Sequence, residues 1–269
     1  MEKGKLYIVG TPIGNLKDIT LRALETLRSV DLIACEDTRH TLGLLTHYEI
    51  KKPLISYYKP KEREGAEKIL FNLSQGKDVA LVTDAGMPCI SDPGSILVKE
   101  AREQGYQVVS VPGPTAVATA MALSGILKPV FVFIGFMPQK NKEKKQLLEQ
   151  YVNVDVSLVF YCSPHDLNDD LEYLHGVFGA RRVSVIRELT KLYESVQEDV
   201  LGEIGEIEPK GEYVVIVHAP EQIEISKPEG SIEEQVGALI AAGVSKKDAI
   251  KQVAKANGVP KDIVYKKFI

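Results

Sequence analysis

Two alternating hydrophobic periods constrain this chain more than any other feature of it. Short runs rich in Val, Ile and Leu (KLYIVG, DLIAC, DVALVT, YQVVSV) are separated by stretches whose apolar residues recur every three to four positions. A continuous apolar run fits a strand buried on both faces. Strands of that kind, joined by amphipathic helices, pack as a mostly parallel sheet with helices on its faces. The expected class is therefore α/β. DITLRALETLRSV is expected as a helix with Leu21, Leu24, Leu27 and Val30 on one stripe, and EREGAEKILFNLSQG as a helix closed by Gly76. After SGILKP the pattern restarts with VFVFIGF, VSLVFY and RRVSVIREL; YESVQEDVLGEI and GEYVVIVHAP read as neighbouring strands, with an antiparallel pairing open to them. Three short helical patterns close the chain. This divides it into an α/β domain over 1–125, a second over 126–222 and a helical extension over 223–269. In the extension Ser245 with Asp248 resembles a capping box, Gly258 ends the second helix, and Pro260 opens the third. A helix-turn-helix and a plain helical cap on the second domain fit that pattern equally.

Composition narrows the class. The 269 residues are 44% hydrophobic with a formal net charge of −4, which suits one or two domains with sizeable cores and argues against a wholesale nucleic-acid coat. Positive charge is local, in QKNKEKK (Gln139–Lys145) and VPKDIVYKKFI, and a solvated helix face explains either cluster as well as a partner does. No apolar run approaches the roughly 18 residues of a membrane span, and the first residues lead straight into a strand, so neither span nor leader is expected. Cys35, Cys89 and Cys162 lie far apart and the five histidines show no metal spacing. The chain is expected to be cytoplasmic, without disulfides and without a metal.

Three strand ends carry small, backbone-friendly loops: IVGTPIGNL after the first strand, VTDAGMPCISDPG after DVALVT, and VSVPGPTAVATA after YQVVSV. Gly and Ala let a ligand approach the main chain, Asp84 offers an acceptor, and Thr115 with Ala116 begins a helix whose free N–H groups suit an anion. Ligands of open α/β sheets bind beyond the carboxyl ends of the strands, so the three loops are expected to share one site. Neither GxxxxGK[ST] nor a GxGxxG after the first strand is present. The expected ligand is small and polar, with an amine and a carboxylate.

YIVGTPIGNLKDITLRALETL, ACEDTRHTLGLL, LVTDAGMPCISDPG, VPGPTAVATAMALSG, FIGFMP and RELTKLYE, in this order and spacing, resemble the tetrapyrrole-methylase-like family. They are most similar to its bacterial branch that methylates a cytidine ribose 2′-hydroxyl in the decoding region of 16S rRNA. The resemblance implies two α/β domains with S-adenosylmethionine in the cleft between them, a homodimer, the small ribosomal subunit as partner, and a helix-turn-helix extension. Carried over residue by residue, the cofactor would meet Pro12 and Gly14; Asp84, Gly86, Met87 and Ile90; Thr115 and Ala116; and Tyr161. One stretch departs from the family's FYEAPHR: here FYCSPHD puts Cys162 and Asp166 where Glu and Arg are usual.

Methyl transfer to a ribose hydroxyl needs alignment and a proton acceptor. The candidates are Glu36, Asp37 and Arg39 in CEDTRH, and Arg187, Glu188 and Lys191 in RELTK. A carboxylate, or a lysine of lowered pKa, could take the proton; the arginines suit phosphates. Each also fits a salt bridge or a cap, and Asp37 with Thr38 reads as a helix N-cap pair. Two further functions stay open on these residues: a methyltransferase acting on a small molecule such as a tetrapyrrole, and a non-catalytic RNA-binding ribosome-assembly factor.

Overall fold

The structure, a computed structural model, describes residues 3–128, 130–220, 230–241 and 245–268, with 241, 255 and 256 described by backbone alone. The chain forms two compact units, 1–220 and 221–269. The first holds two five-stranded sheets. The expected division at 222–223 lies outside the described residues.

The first sheet comprises β1 (Leu6–Val9), β2 (Leu32–Cys35), β3 (Leu54–Ser56), β4 (Val79–Leu81) and β5 (Val108–Val111), all parallel, in the order β3-β2-β4-β1-β5. Period-two alternation assigns each strand to two cores. Leu6, Ile8, Leu32, Ala34, Val79 and Leu81 face one helix layer, and Val9, Ile33, Cys35, Ala80 and Val82 face the other. The layers are built by α1 (Leu21–Ser29), α2 (Thr38–His47), α3 (Glu62–Ser74) and α4 (Ser95–Glu103). Helix α1 differs from its expected stripe. Leu21 is 79% exposed, and the buried residues are Ala23, Thr26, Leu27 and the following Val30. Residues 16–18 form a separate 3-10 turn and Thr20 caps α1, so the helix starts at Leu21 and is set by Ala23 and Leu27 rather than by its outermost leucine.

After α5 (Ala116–Leu123) the second sheet takes β6 (Phe131–Phe136), β7 (Ser157–Cys162), β8 (Arg182–Arg187), β9 (Ser195–Val200) and β10 (Tyr213–Val217) in the order β6-β7-β10-β8-β9. α6 (Asn141–Leu148) and α7 (Leu167–Phe178) connect its strands. The strands β9 and β10, expected as neighbours, are not paired: both pair with β8, antiparallel, from opposite sides. Burial explains the order. YVVIV of β10 is buried at every position and takes the centre, whereas SVQEDV of β9 is polar and takes the edge. Leu158, Phe160, Tyr213 and Val215 face the sheet's own helices, while Val159, Ile186, Val214 and Ile216 face Ile13 and Ala120 of the first half. That shared cluster joins the two halves of the unit.

The second unit contains α8 (Ile232–Ala241), α9 (Lys246–Ala256) and α10 (Lys261–Lys266) around Val236, Ala249, Ile250, Val253, Ala254 and Val264. A full capping box opens α8. Ser231 N donates to Glu234 Oε2 at 2.6 Å, and Glu234 N donates to Ser231 Oγ at 3.2 Å. At α9 the shorter Asp248 receives the Ser245 hydroxyl at 2.6 Å, and Asp248 N donates to Ser245 Oγ at 3.2 Å. No described helix is long and apolar enough to cross a membrane.

Candidate functional site

The three small-residue loops follow β4, β1 and β5, which are contiguous in the sheet. Parallel neighbours lie roughly 4.8 Å apart, so three adjacent strand tips start their loops within about 10 Å of one another. Three hydrogen bonds hold the first loop to the second: Thr11 N donates to Gly86 O at 2.9 Å, Gly86 N to Thr11 O at 3.2 Å, and the Thr11 hydroxyl Oγ1 to Thr83 O at 3.0 Å. The first and third loops touch through glycines. A Cβ on Gly10 would stand 2.7 Å from Gly113 Cα and 2.7 Å from the Met87 sulfur. These two glycines therefore serve loop-to-loop packing rather than ligand approach.

The loops converge on one cavity of about 480 Å³. Its wall includes Ile13 from the first loop, Asp84, Gly86, Met87 and Ile90 from the second, and Thr115 and Ala116 from the third. The second sheet closes it with Phe136, Tyr161, Cys162, Leu189 and Glu212. Glu36, at the tip of β2, reaches it from the side.

Charge in the cavity is unbalanced. Asp84 Oδ1 accepts the Asp37 backbone N–H at 3.2 Å. The side chains of Glu36 and Asp92 have no hydrogen-bond or ion-pair partner among the described residues. Burial, then the neighbouring Asp92 and Asp84, hold the Glu36 carboxyl above the usual carboxylate range, against a smaller opposing pull from Lys59. Burial, then Asp84, raises Asp92. Burial likewise raises the Tyr161 phenol and the Cys162 thiol, so both stay protonated at neutral pH. The N-terminus of α5 also lines the cavity through Thr115 and Ala116, and its N-cap Thr115 accepts from Ala118 N at 3.3 Å.

Several sequence candidates sit elsewhere. Pro12 is buried and Gly14 exposed, and neither lines the cavity. Gly14 instead lets the 189–191 loop come close: a Cβ there would be 2.6 Å from Lys191 Cγ and 2.8 Å from Leu189 O. Asp37 caps α2 and grips Arg39 at 2.8 Å on the surface, which lowers its carboxyl to about 2. Lys191 donates to Glu188 Oε1 and to Glu212 Oε2, both at 2.9 Å. Burial alone would lower its pKa, but those two bonds outweigh it and the ammonium is held above its usual range. A lysine so held is not the lowered-pKa base that its sequence position allowed. Arg187 ends β8, half-buried, and its Nε has no partner among the described residues. The two family departures separate. Cys162 contributes to the cavity wall at the end of β7, but its thiol turns to the helix side and donates to Asp170 Oδ2 at 3.9 Å; Asp166 lies with Asp169, Asp170 and Lys144 in another basin, lined by α6 and α7.

Sequence reasoning missed Ile13, Asp92 and Phe136. The signals were present in TPIGN, SDPG and FIGF, but which residue of each turn faces inward depends on the loop conformation.

Residues 5–205 match the tetrapyrrole (corrin/porphyrin) methylases. This chain belongs to that family. A relative from Halalkalibacterium halodurans named ribosomal RNA small subunit methyltransferase I is 42% identical over 98% of this chain and 94% of its own length. Among solved structures, a diphthine synthase shares the fold at a TM-score of 0.67 and 17% identity, covering 80% of this chain and 90% of its own. A Thermus thermophilus uroporphyrin-III C-methyltransferase complexed with S-adenyl homocysteine aligns at a TM-score of 0.57 and 18% identity, over 80% of this chain and 97% of its own. The cofactor of this methylase is S-adenosylmethionine, and the cavity fits it. Unpaired carboxylates suit its sulfonium and ammonium charges, the α5 N-terminus suits its carboxylate, and Met87, Ile13 and Tyr161 suit its apolar surface.

Proposed function

We propose that this chain methylates small-subunit ribosomal RNA, at the ribose 2′-hydroxyl of a cytidine in the decoding region of 16S rRNA. One observation carries the reading. Turns from three contiguous strand tips share a cavity with unpaired carboxylates, in a chain collinear with a small-subunit rRNA methyltransferase over nearly its whole length.

Bound in that cavity, S-adenosylmethionine supplies the methyl group. Asp84, the Gly86 main chain and the α5 N-terminus at Thr115 and Ala116 hold and orient it. Met87 and Tyr161 exclude water beside it. Glu36 takes the proton of the acceptor hydroxyl onto a carboxylate oxygen; its burial among like charges makes it a better base than a solvated glutamate. Glu188 and Lys191 bind each other and position Leu189 in the wall.

The second unit supplies the grip on RNA. Lys246, Lys247, Lys251, Lys261 and Lys266 are exposed on α9 and α10, a local concentration of positive charge in a chain of net charge −4. The active species is a homodimer acting in the cytoplasm, and light scattering of the purified protein tests the dimer. The function itself is tested by mapping ribose methylation in 16S rRNA from cells with and without this gene. Loss of one cytidine 2′-O-methyl supports the proposal; an unchanged map, or loss of a base methylation instead, overturns it.

A further inference from the structure

Strand β6 contains an irregularity whose effect is to move one aromatic side chain. Its register against β7 runs Phe131 with Ser157, Val132 with Leu158 and Phe133 with Val159, then resumes as Gly135 with Phe160 and Phe136 with Tyr161. Ile134 is the extra residue. In paired strands, partners in register point to the same face. Without the bulge Gly135 would pair with Tyr161, and Phe136 would fall opposite Cys162, toward the core that contains Phe160 and Cys162. With it, Phe136 shares the face of Tyr161 and enters the cavity wall. Gly135 makes the bulge possible at φ +77°, a conformation that costs other residues energy.

The outcome is an aromatic ring 61% exposed at the cavity mouth, set edge-on to Tyr161 with ring centroids 5.7 Å apart. Beside it the two halves of the unit meet: a Cβ on Gly135 would lie 3.6 Å from Ser91 Oγ of the second loop. A phenyl ring of this exposure contributes little to the core. A bound small cofactor buries most of its own surface, in the deeper part of the cavity among the strand tips. The acceptor is different: it arrives from solvent as part of a polymer, and its base must be unstacked from its neighbours to bring one ribose inside.

We propose that Phe136 is the stacking platform for the nucleobase of the acceptor nucleotide, placed there by the β6 bulge. This rests on the rRNA reading above. Phe136 is a positioning residue: it fixes the base so that the attached ribose hydroxyl meets Glu36.

The test compares wild type, Phe136→Ala and Phe136→Trp for methyl transfer from labelled S-adenosylmethionine to small subunits and to naked 16S rRNA. Calorimetric Kd for S-adenosylhomocysteine and light-scattering mass are measured on the same preparations. Loss of one base–aromatic stack is expected to lower kcat/KM for RNA by about 5- to 150-fold in Phe136→Ala, carried mainly by KM. Phe136→Trp should retain activity, and cofactor Kd and mass should stay unchanged. Transfer by Phe136→Ala equal to wild type overturns the proposal. So does a matching loss of cofactor affinity, which would put the ring against the donor, or a change of mass, which would put it in a subunit contact. A wild-type protein that transfers no methyl to either RNA overturns the functional reading itself, and that result is distinct from these.

Discussion

Replacing Lys191 by methionine removes a cation that holds two carboxylates, and the cost can be worked from their surroundings. Lys191 bonds Glu188 and Glu212 at 2.9 Å each, and the side chains of Lys191 and Glu188 are 29% and 18% exposed. Glu212 is 77% exposed, so its pair is screened and adds little. Glu188 is the partner that matters. Its Oε1 also accepts the Glu212 backbone N–H at 2.9 Å, and without Lys191 that is its remaining bond. The expected loss is about 1.5 kcal/mol, or about 3–6 °C in Tm for a domain of this size. The pH dependence follows from both partners. Hydrogen bonding to Lys191 depresses Glu188, so its contribution is present above the ordinary glutamate value and disappears as pH falls through the lower folded-state value. Lys191 is raised, so its contribution is present below the ordinary lysine value and disappears as pH rises through the higher folded-state one. The stability gap between wild type and variant should be widest between about pH 5 and 10 and close at both ends. Urea unfolding across that range measures it. Lys191→Arg keeps a cation but offers no base, and it should retain turnover. A folded, cofactor-binding Lys191→Arg without methyl transfer would refute the assignment of Lys191 as a clamp.

Further outcomes follow from the cavity and the second unit. Asp84→Ala should weaken S-adenosylhomocysteine binding by about 10- to 150-fold in calorimetry, the range of a charge-assisted bond. Asp84→Asn, which keeps an acceptor for the Asp37 N–H, should lose less. Glu36→Gln should lower the rate constant of methyl transfer by about 10²- to 10⁴-fold. It should also raise Tm at pH 7, because the elevated Glu36 pKa means that wild type loses stability as pH rises through the folded-state value and the amide does not. Deleting 221–269 should weaken binding to rRNA while leaving cofactor Kd within about twofold, since the first unit holds its own cores; the RNA affinity of the intact chain should fall steeply with salt.

Local chemistry was legible in the sequence, and adjacency was not. The parallel half announced itself because strands such as LIAC and VAL are apolar on both faces, a pattern that needs no tertiary information. That the three loops share one site could be expected from the rule that ligands of open α/β sheets bind beyond the strand ends, but the strand order that brings them together, β1 between β4 and β5, could not be read from the chain. For the same reason YVVIV and SVQEDV, close in sequence, ended on opposite sides of β8. At the site, residue type pointed to Asp84 and Glu36. Lys191 could be separated from base chemistry only once Glu188 and Glu212 were found on it. Phe136 was hidden twice over. It belongs to an apolar run that reads as plain strand, and one extra residue, Ile134, reverses the face it presents.

The central claim is that turns from β1, β4 and β5 build one cofactor cavity closed by the second sheet. A crystal structure with S-adenosylhomocysteine tests it most directly. Ligand density is expected within the wall formed by Ile13, Asp84, Met87, Thr115 and Tyr161, with Glu36 facing the sulfur end. Density at any other place on the first unit, with this cavity holding solvent alone, would contradict it.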